Sequence, residues 1–285
     1  LSLQINQALS KLGDGWMIHV DLVRRPSASY PEHGAFPDTV SRLIDDERRE
    51  QYLSQAQHFE SSYTLSVTYR PPPEVESKFA AVFVEGGPKA AVSWNSVLRS
   101  FKLRVRDIED GLSGRLRLCR MNSDELLSFL HSSVTGHSHP VNVPLIPMYL
   151  DGVLASEDFI GGFAPRVGKK HVRVIAIVGF PASSSPEFLA FLDTLALEFR
   201  WSNRFICLDP HTAERELKKY RRHWFQKRHG LISFIKESFN IEGQTFLNQD
   251  ALAMADDADE ALSEASSGGV RFGYYTSVLV LFDEN

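Results

Sequence analysis

At 285 residues the chain can hold one large domain or two modest ones. Its 43% hydrophobic and 24% charged fractions are those of an ordinary folded protein. The net charge of -5 argues against a general nucleic-acid coating protein, so any anion-binding surface must be local. Cys119 and Cys207, the two cysteines, suggest a reducing compartment rather than a disulfide framework. No uninterrupted apolar run of roughly 20 residues is present to span a bilayer as a helix.

In chain order, residues 1–12 read as a short helix stopped by Gly13-Asp14-Gly15. Trp16, Ile18, Val20 and Leu22 then alternate with more polar neighbours, which predicts a half-buried strand; His19 shares a face with Asp21 and reads as solvated. Asp38 is placed to cap a charged helix reaching about residue 53, with Val40, Leu43 and Ile44 turned inward. Asp45, Asp46 and Glu47 precede Arg48 and Arg49 there, a pattern of surface ion pairs. Tyr63, Leu65, Val67 and Tyr69 alternate with Thr64, Ser66 and Thr68 in the cleanest strand of the chain. It ends at Pro71-Pro72-Pro73, which cannot donate to a ladder.

Residues 74–90 read as loop. A helix is expected over 94–110, a short strand over 116–121, and a helix capped by Ser123 that contains Leu126, Leu127, Phe129 and Leu130. Proline and glycine are frequent over 136–168, which sets the boundary between two α/β lobes, residues 1–140 and 141–285. The second lobe opens with a strand over 171–180, apolar on both faces as a covered central strand would be. A helix over 186–197, a strand into Leu208, a long basic helix, a polar helix near 251–265 and a last strand over 278–282 follow. The class is α+β (mixed α/β), each lobe carrying a small mixed or antiparallel sheet packed by helices. A leucine at position 1 and an abrupt final strand raise the expectation of a piece of a longer protein.

Sites of familiar chemistry are scarce. A phosphate-binding loop needs G-x-x-x-x-G-K-[ST] between a strand and a helix. The nearest stretch, Gly162 to Lys170, has one residue too many between its glycines, Lys170 where a hydroxyl is required, and a strand after it. No G-x-S-x-G, H-E-x-x-H, C-x-x-C or G-x-G-x-x-G occurs. His131, His137 and His139 crowd around Gly136 without a nearby acidic or cysteine ligand, so a polar loop outweighs a metal site. Catalytic, cofactor and metal residues are accordingly assigned to none.

The basic helix is the strongest feature. Asp209 caps it, Pro210 suits its first position, and Leu217, Tyr220 and Trp224 recur at spacings of three and four, a register continued by Leu231 and Ile235. Off that stripe sit Lys218, Lys219, Arg221, Arg222, Lys227 and Arg228. With Trp224 these are the candidate contacts for a partner or an anionic surface; the plainer alternative is a solvated structural helix.

Trp201-Ser202-Asn203-Arg204-Phe205, followed by Glu216-Leu217 and Arg221-Arg222-His223-Trp224-Phe225-Gln226-Lys227-Arg228, resembles the CagE/TrbE/VirB family of type IV secretion ATPases, TrbE-like members above all. Gly13-Asp14-Gly15-Trp16, Arg24-Arg25-Pro26, Tyr30-Pro31, Phe36-Pro37, Asp45-Asp46-Glu47-Arg48-Arg49, His58-Phe59-Glu60-Ser61, Gly179-Phe180-Pro181 and Phe272-Gly273-Tyr274-Tyr275 fit the same resemblance in order. It implies an amino-terminal docking domain on the cytoplasmic face of a bacterial inner membrane. Its partners would be inner-membrane subunits of the secretion system and its own copies, a hexamer in the parent protein. It also implies a RecA-like ATPase domain beyond residue 285 that would take ATP and Mg2+, with no cofactor in this chain. The rival reading is a nucleic-acid-binding module acting through the basic helix over 211–229.

Overall fold

The computed structural model describes residues 2–27, 30–32, 34–54, 58–71, 94–177, 185, 187–222, 260–264 and 270–283. The helices are α1 (Ser2–Leu9), α2 (Thr39–Ser54), α3 (Trp94–Ser113), α4 (Ser123–Thr135), α5 (Leu150–Leu154), α6 (210–222) and α7 (260–264), with a 3-10 turn at Ala190–Thr194. The strands are β1 (Trp16–Pro26), β2 (Phe59–Tyr69), β3 (Phe159–Ile160), β4 (Arg166–Val167), β5 (Lys170–Ala176), β6 (Phe199–Cys207) and β7 (Gly273–Asp283). They form one sheet in the order β2-β1-β6-β7-β5-β4-β3.

The sheet is antiparallel. Residues Phe159↔Val167, Arg166↔His171 and Val174↔Val280 set the β3–β4, β4–β5 and β5–β7 registers. At the other end Ser27 donates to His58 O and Arg70 to Gly15 O, so β1 and β2 run in opposite directions; Leu208 donating to Phe272 O does the same for β6 and β7. The α+β class expected from the sequence holds.

Two compact units divide the chain. The first takes Leu1–Ile18, Ser66–Leu118 and Arg204–Tyr275. Its core joins Ala8 and Leu12 to Ile18 of β1, Ile108 and Leu112 of α3, and Cys207 of β6, with Trp16, Val67 and Phe205 packed against it. A Cβ on Gly111 would meet that of Ala8 at 3.0 Å, so small residues set the close approach of α1 and α3. Trp16 stacks on Phe101 at 5.6 Å and meets Tyr69 at 4.6 Å. The turn into β1 needs Gly15, whose φ is +83 and where a Cβ would lie 2.4 Å from Arg70 O.

The second unit takes His19–Leu65, Cys119–Asn203 and Thr276–Asn285. Leu22, Leu192 and Phe199 form its core with Leu189, Leu195, Trp201, Leu279 and Leu281. Alternation along the strands sends Asp21, Val23 and Arg200 to the opposite side. There Arg200 donates to Ser132 Oγ of α4 at 3.1 Å, with its guanidinium 5.3 Å from the Phe129 ring centre. Desolvation lowers the Arg200 pKa, partly opposed by Asp21. Asn122, one residue before the expected Ser123, caps α4 in a reciprocal pair with Glu125: backbone N–H to side chain at 2.9 and 2.8 Å.

Several expectations are corrected. Val40, Leu43 and Ile44 of α2 are exposed at 66%, 59% and 46%, and no residue of α2 is buried. Polar contacts hold its other side instead: Tyr30 donates to Asp45 at 2.9 Å, Arg49 donates to Pro31 O, and Tyr52 stacks on His58 at 3.6 Å. His19, expected to be solvated, is half-buried, and Asp21 on the same strand face is buried. Residues 116–121 form no strand, because their alternating pattern finds no ladder partner.

Over 186–197 the regular element is the 3-10 turn, since Leu189, Leu192 and Leu195 repeat every three residues and all reach the core in that geometry. The strand expected over 171–180 is β5, and Val174 and Ile175 are exposed. β4 is two residues long and of β5 pairs only Lys170 and His171, so among the described residues the rest of β5 has a strand neighbour on the β7 side alone.

A basic helix as candidate docking site

The helix α6 begins where the sequence places it, after Asp209, but the group that secures its entry comes from the other end of the chain. Asp14 Oδ1 accepts the Asp209 N–H at 2.8 Å and Asp14 Oδ2 accepts the Thr212 hydroxyl at 2.6 Å. The Asp209 carboxylate lies against Gly13, where a Cβ would come within 1.8 Å of it. Ala213 is buried and Leu217 half-buried, so those two residues anchor the helix. Tyr220, assigned to the apolar stripe, is 53% exposed.

Of the seven candidate contact residues, Lys218, Lys219, Arg221 and Arg222 lie together on this helix and are exposed; Trp224, Lys227 and Arg228 lie outside the described residues, as do Leu231 and Ile235. The charge is partly compensated in place. Lys218 Nζ sits 2.5 Å from Glu214 and Lys219 Nζ 2.7 Å from Glu216. These hydrogen bonds hold both glutamate carboxyls below the usual range. Tyr274 of β7 also donates to Glu216, and burial followed by the nearby Glu216 charge pushes its own phenol up. An open concavity of about 230 Å³ is lined by His211, Glu214, Arg215, Lys218 and Arg222. Its lining sets Arg215, Lys218 and Arg222 against the single carboxylate of Glu214.

The other sequence candidates resolve differently. The stretch Gly162 to Lys170 forms hairpin turns, with Gly162 at φ +126, Gly168 at φ +57 and the Gly168 N–H donating to Asp158 O at 2.9 Å. His131 and His139 do come together, their ring centres 4.8 Å apart, and His137 lies 6.5 Å from His139. Among the described residues, however, no group of three or more His, Cys, Asp or Glu side chains could hold a metal ion. Likewise no helix is long and apolar enough to cross a membrane. Sequence reasoning missed Asp14 and Tyr274 as supports of α6; only the position of Asp14 in a Gly-Asp-Gly turn hinted at a structural role.

Among the described residues the most distinctive surface of this α+β chain is its anchored cationic helix. The chain belongs to the family described as "CagE, TrbE, VirB family, component of type IV transporter system", whose model matches residues 112–285. Residues 1–77 match the model described as "Type IV secretion system ATPase VirB4/TrbE, N-terminal domain".

Among individual relatives, "Conjugal transfer protein TrbE" of Rhizobium radiobacter is 38% identical over 302 residues, covering 100% of this chain and 36% of that protein. Two separate proteins of Sinorhizobium fredii (strain NBRC 101917 / NGR234), each described as a probable conjugal transfer protein TrbE, also match. One is 36% identical over 199 residues, 65% of this chain and 29% of that protein. The other is 51% identical over 73 residues, 25% of this chain and 49% of that protein. The chain spans little more than a third of the length of the Rhizobium relative.

Proposed function

We propose that this chain is the amino-terminal assembly domain of a type IV secretion ATPase of conjugative DNA transfer. It docks on inner-membrane subunits of the secretion system at the cytoplasmic face and associates with its own copies. ATP and Mg2+ are bound and used by a RecA-like domain beyond residue 285, which energises pilus biogenesis and substrate export. The observation that carries this reading is the pair of family matches, residues 1–77 to an ATPase N-terminal domain and residues 112–285 to the transporter family. The partly neutralised basic helix supports a role in protein contact over one in DNA contact.

The test is nucleotide binding by the purified chain. Calorimetric titration with ATP and Mg2+ is expected to give no heat of binding, and phosphate release is expected to stay at background. Binding in the micromolar range would overturn the division of labour proposed here. A protein carrying the whole sequence of the Rhizobium relative should bind and hydrolyse ATP under the same conditions.

A further inference from the structure

At the C-terminal end of α4 the second unit holds a cavity of about 20 Å³. Its lining includes Arg25 of β1, Ser132 of α4 and the capping Gly136, Glu198 and Arg200 at the start of β6, and Phe282 of β7. Arg200 is only 7% exposed. Its Nη2 donates to Ser132 Oγ, but its Nη1 is buried with no hydrogen-bond partner. A buried charged donor without an acceptor is costly, and a bound water or ion is a common reason for one.

The volume limits what can enter. One water needs at least about 10–15 Å³, so there is room for a single water or a monatomic ion and none for a phosphate or nucleotide. Donors and acceptors then choose between the two. Ser132 Oγ already accepts from Arg200 and donates to Phe129 O, while Gly136 O accepts from Lys170 Nζ at 3.2 Å. A water here must also find acceptors for its own hydrogens, whereas an anion only accepts. Arg25, which donates to Ser138 Oγ, adds a second guanidinium to the lining.

The charges agree with this choice. Asp21 favours the charged form of Arg200 and Arg25 disfavours it. Two guanidiniums against that one carboxylate leave a single positive charge to balance. Glu198 also lines the cavity, but it is an exposed residue whose carboxylate is screened by solvent.

We propose that this cavity binds one halide-type monovalent anion, such as chloride, between Arg25 and Arg200 beneath α4. The ion supplies the acceptor that Arg200 lacks and ties α4 to β1 and β6. The site lies within the second unit and stands or falls apart from the secretion role.

The test is urea denaturation of the full chain at fixed ionic strength, with chloride replacing gluconate, an anion too large for the cavity. Uptake of one ion on folding raises the folded-to-unfolded ratio about 10-fold for each tenfold rise in chloride above its dissociation constant. Wild type is expected to show that slope. Arg25→Gln and Arg200→Gln should lose it, and Arg25→Lys, which keeps a cation, should retain part of it; far-UV circular dichroism checks that each variant folds. Broadening of the chloride NMR resonance by the native chain, absent with Arg25→Gln, reads the ion directly even if the Arg200 variant unfolds. Equal stability in chloride and gluconate overturns the proposal and leaves a water as the occupant. So does a chloride slope that the folded variants keep, which would place the ion elsewhere on the chain.

Discussion

Asp14 and Asp209 are joined across 195 residues of sequence by a hydrogen bond from the Asp209 backbone N–H to the Asp14 carboxylate. The same carboxylate takes the Thr212 hydroxyl, so one side chain before β1 satisfies two donors at the start of α6. The first N–H groups of a helix have no partner within it, and an acidic group there also meets the favourable end of the helix dipole. The orientation of the basic helix is thereby tied to the turn that opens the sheet.

Asp14→Ala should lower the stability of the chain by about 1 kcal/mol, the usual size of a lost cap. Urea denaturation followed by circular dichroism measures it, and Asp14→Asn should recover some of the loss because its amide oxygen still accepts. An unchanged midpoint for the alanine variant would mean that α6 is positioned by Ala213 and Leu217 alone.

The two cysteines should behave oppositely. Cys119 is exposed, while burial of Cys207 in the first unit's core pushes its thiol up to about 11. The thiolate is the reactive form, so at pH 8 Cys207 is protonated as well as shielded. A thiol-reactive dye should label one cysteine per native chain and both after denaturation. Rapid native labelling of both would show that the α1–α3 core opens readily.

Strand and helix existence was legible wherever local pattern and tertiary demand agree: Phe59–Tyr69, Trp94–Ser113 and Phe199–Cys207 follow from alternation or from helical spacing. What the sequence could not reveal is which apolar residues the folded chain covers. Val40, Leu43 and Ile44 have helical spacing and lie exposed, because α2 is held by Tyr30, Arg49 and Tyr52 on its other side. The basic residues of α6 were visible as a cluster, but Glu214 and Glu216 had to be seen in contact with Lys218 and Lys219 before the cluster lost some of its charge. Asp14 was unreadable as a support for that helix, since nothing local links it to Asp209.

Acid should loosen the start of α2 before the rest of the helix. Asp38 accepts both the backbone N–H and the hydroxyl of Ser41, at 2.8 and 2.7 Å, and these bonds lower its pKa from the ordinary 3.8. A depressed carboxyl contributes stability that is present above its unfolded pKa and lost as pH falls through the folded value. The Ser41 amide resonance should therefore titrate with a midpoint below 3.8. Asp38→Asn, which cannot ionise, should abolish that titration while keeping the cap; a midpoint at or above the ordinary value would contradict the hydrogen bonds.

Gly136 closes α4 at φ +72, and a Cβ there would come within 2.6 Å of the Phe282 ring. Left-handed backbone costs a non-glycine residue about 1–2 kcal/mol, and forcing a side chain into packed surroundings adds about 1–3 kcal/mol. Gly136→Ala should accordingly destabilise the chain by roughly 2–5 kcal/mol in chemical denaturation. In the double variant with Phe282→Ala the added cost of the alanine should shrink to the backbone contribution. Equal costs in both backgrounds would remove Phe282 from the account.

Reversing Arg221, Arg222 and Lys227 to glutamate should leave the circular dichroism of the chain unchanged, because Arg221 and Arg222 are exposed and the helix is anchored by Ala213 and Leu217. Association with the inner-membrane fraction of cells expressing the secretion system should fall at the same time. Binding to double-stranded DNA discriminates the rival reading. A protein making 6–10 phosphate contacts loses about 10³- to 10⁵-fold in affinity between 50 and 200 mM salt. With Lys218 and Lys219 already paired to glutamates, wild type should bind DNA weakly and lose on the order of 10-fold or less over that interval. A steep salt dependence abolished by the triple reversal would instead make α6 a nucleic-acid contact.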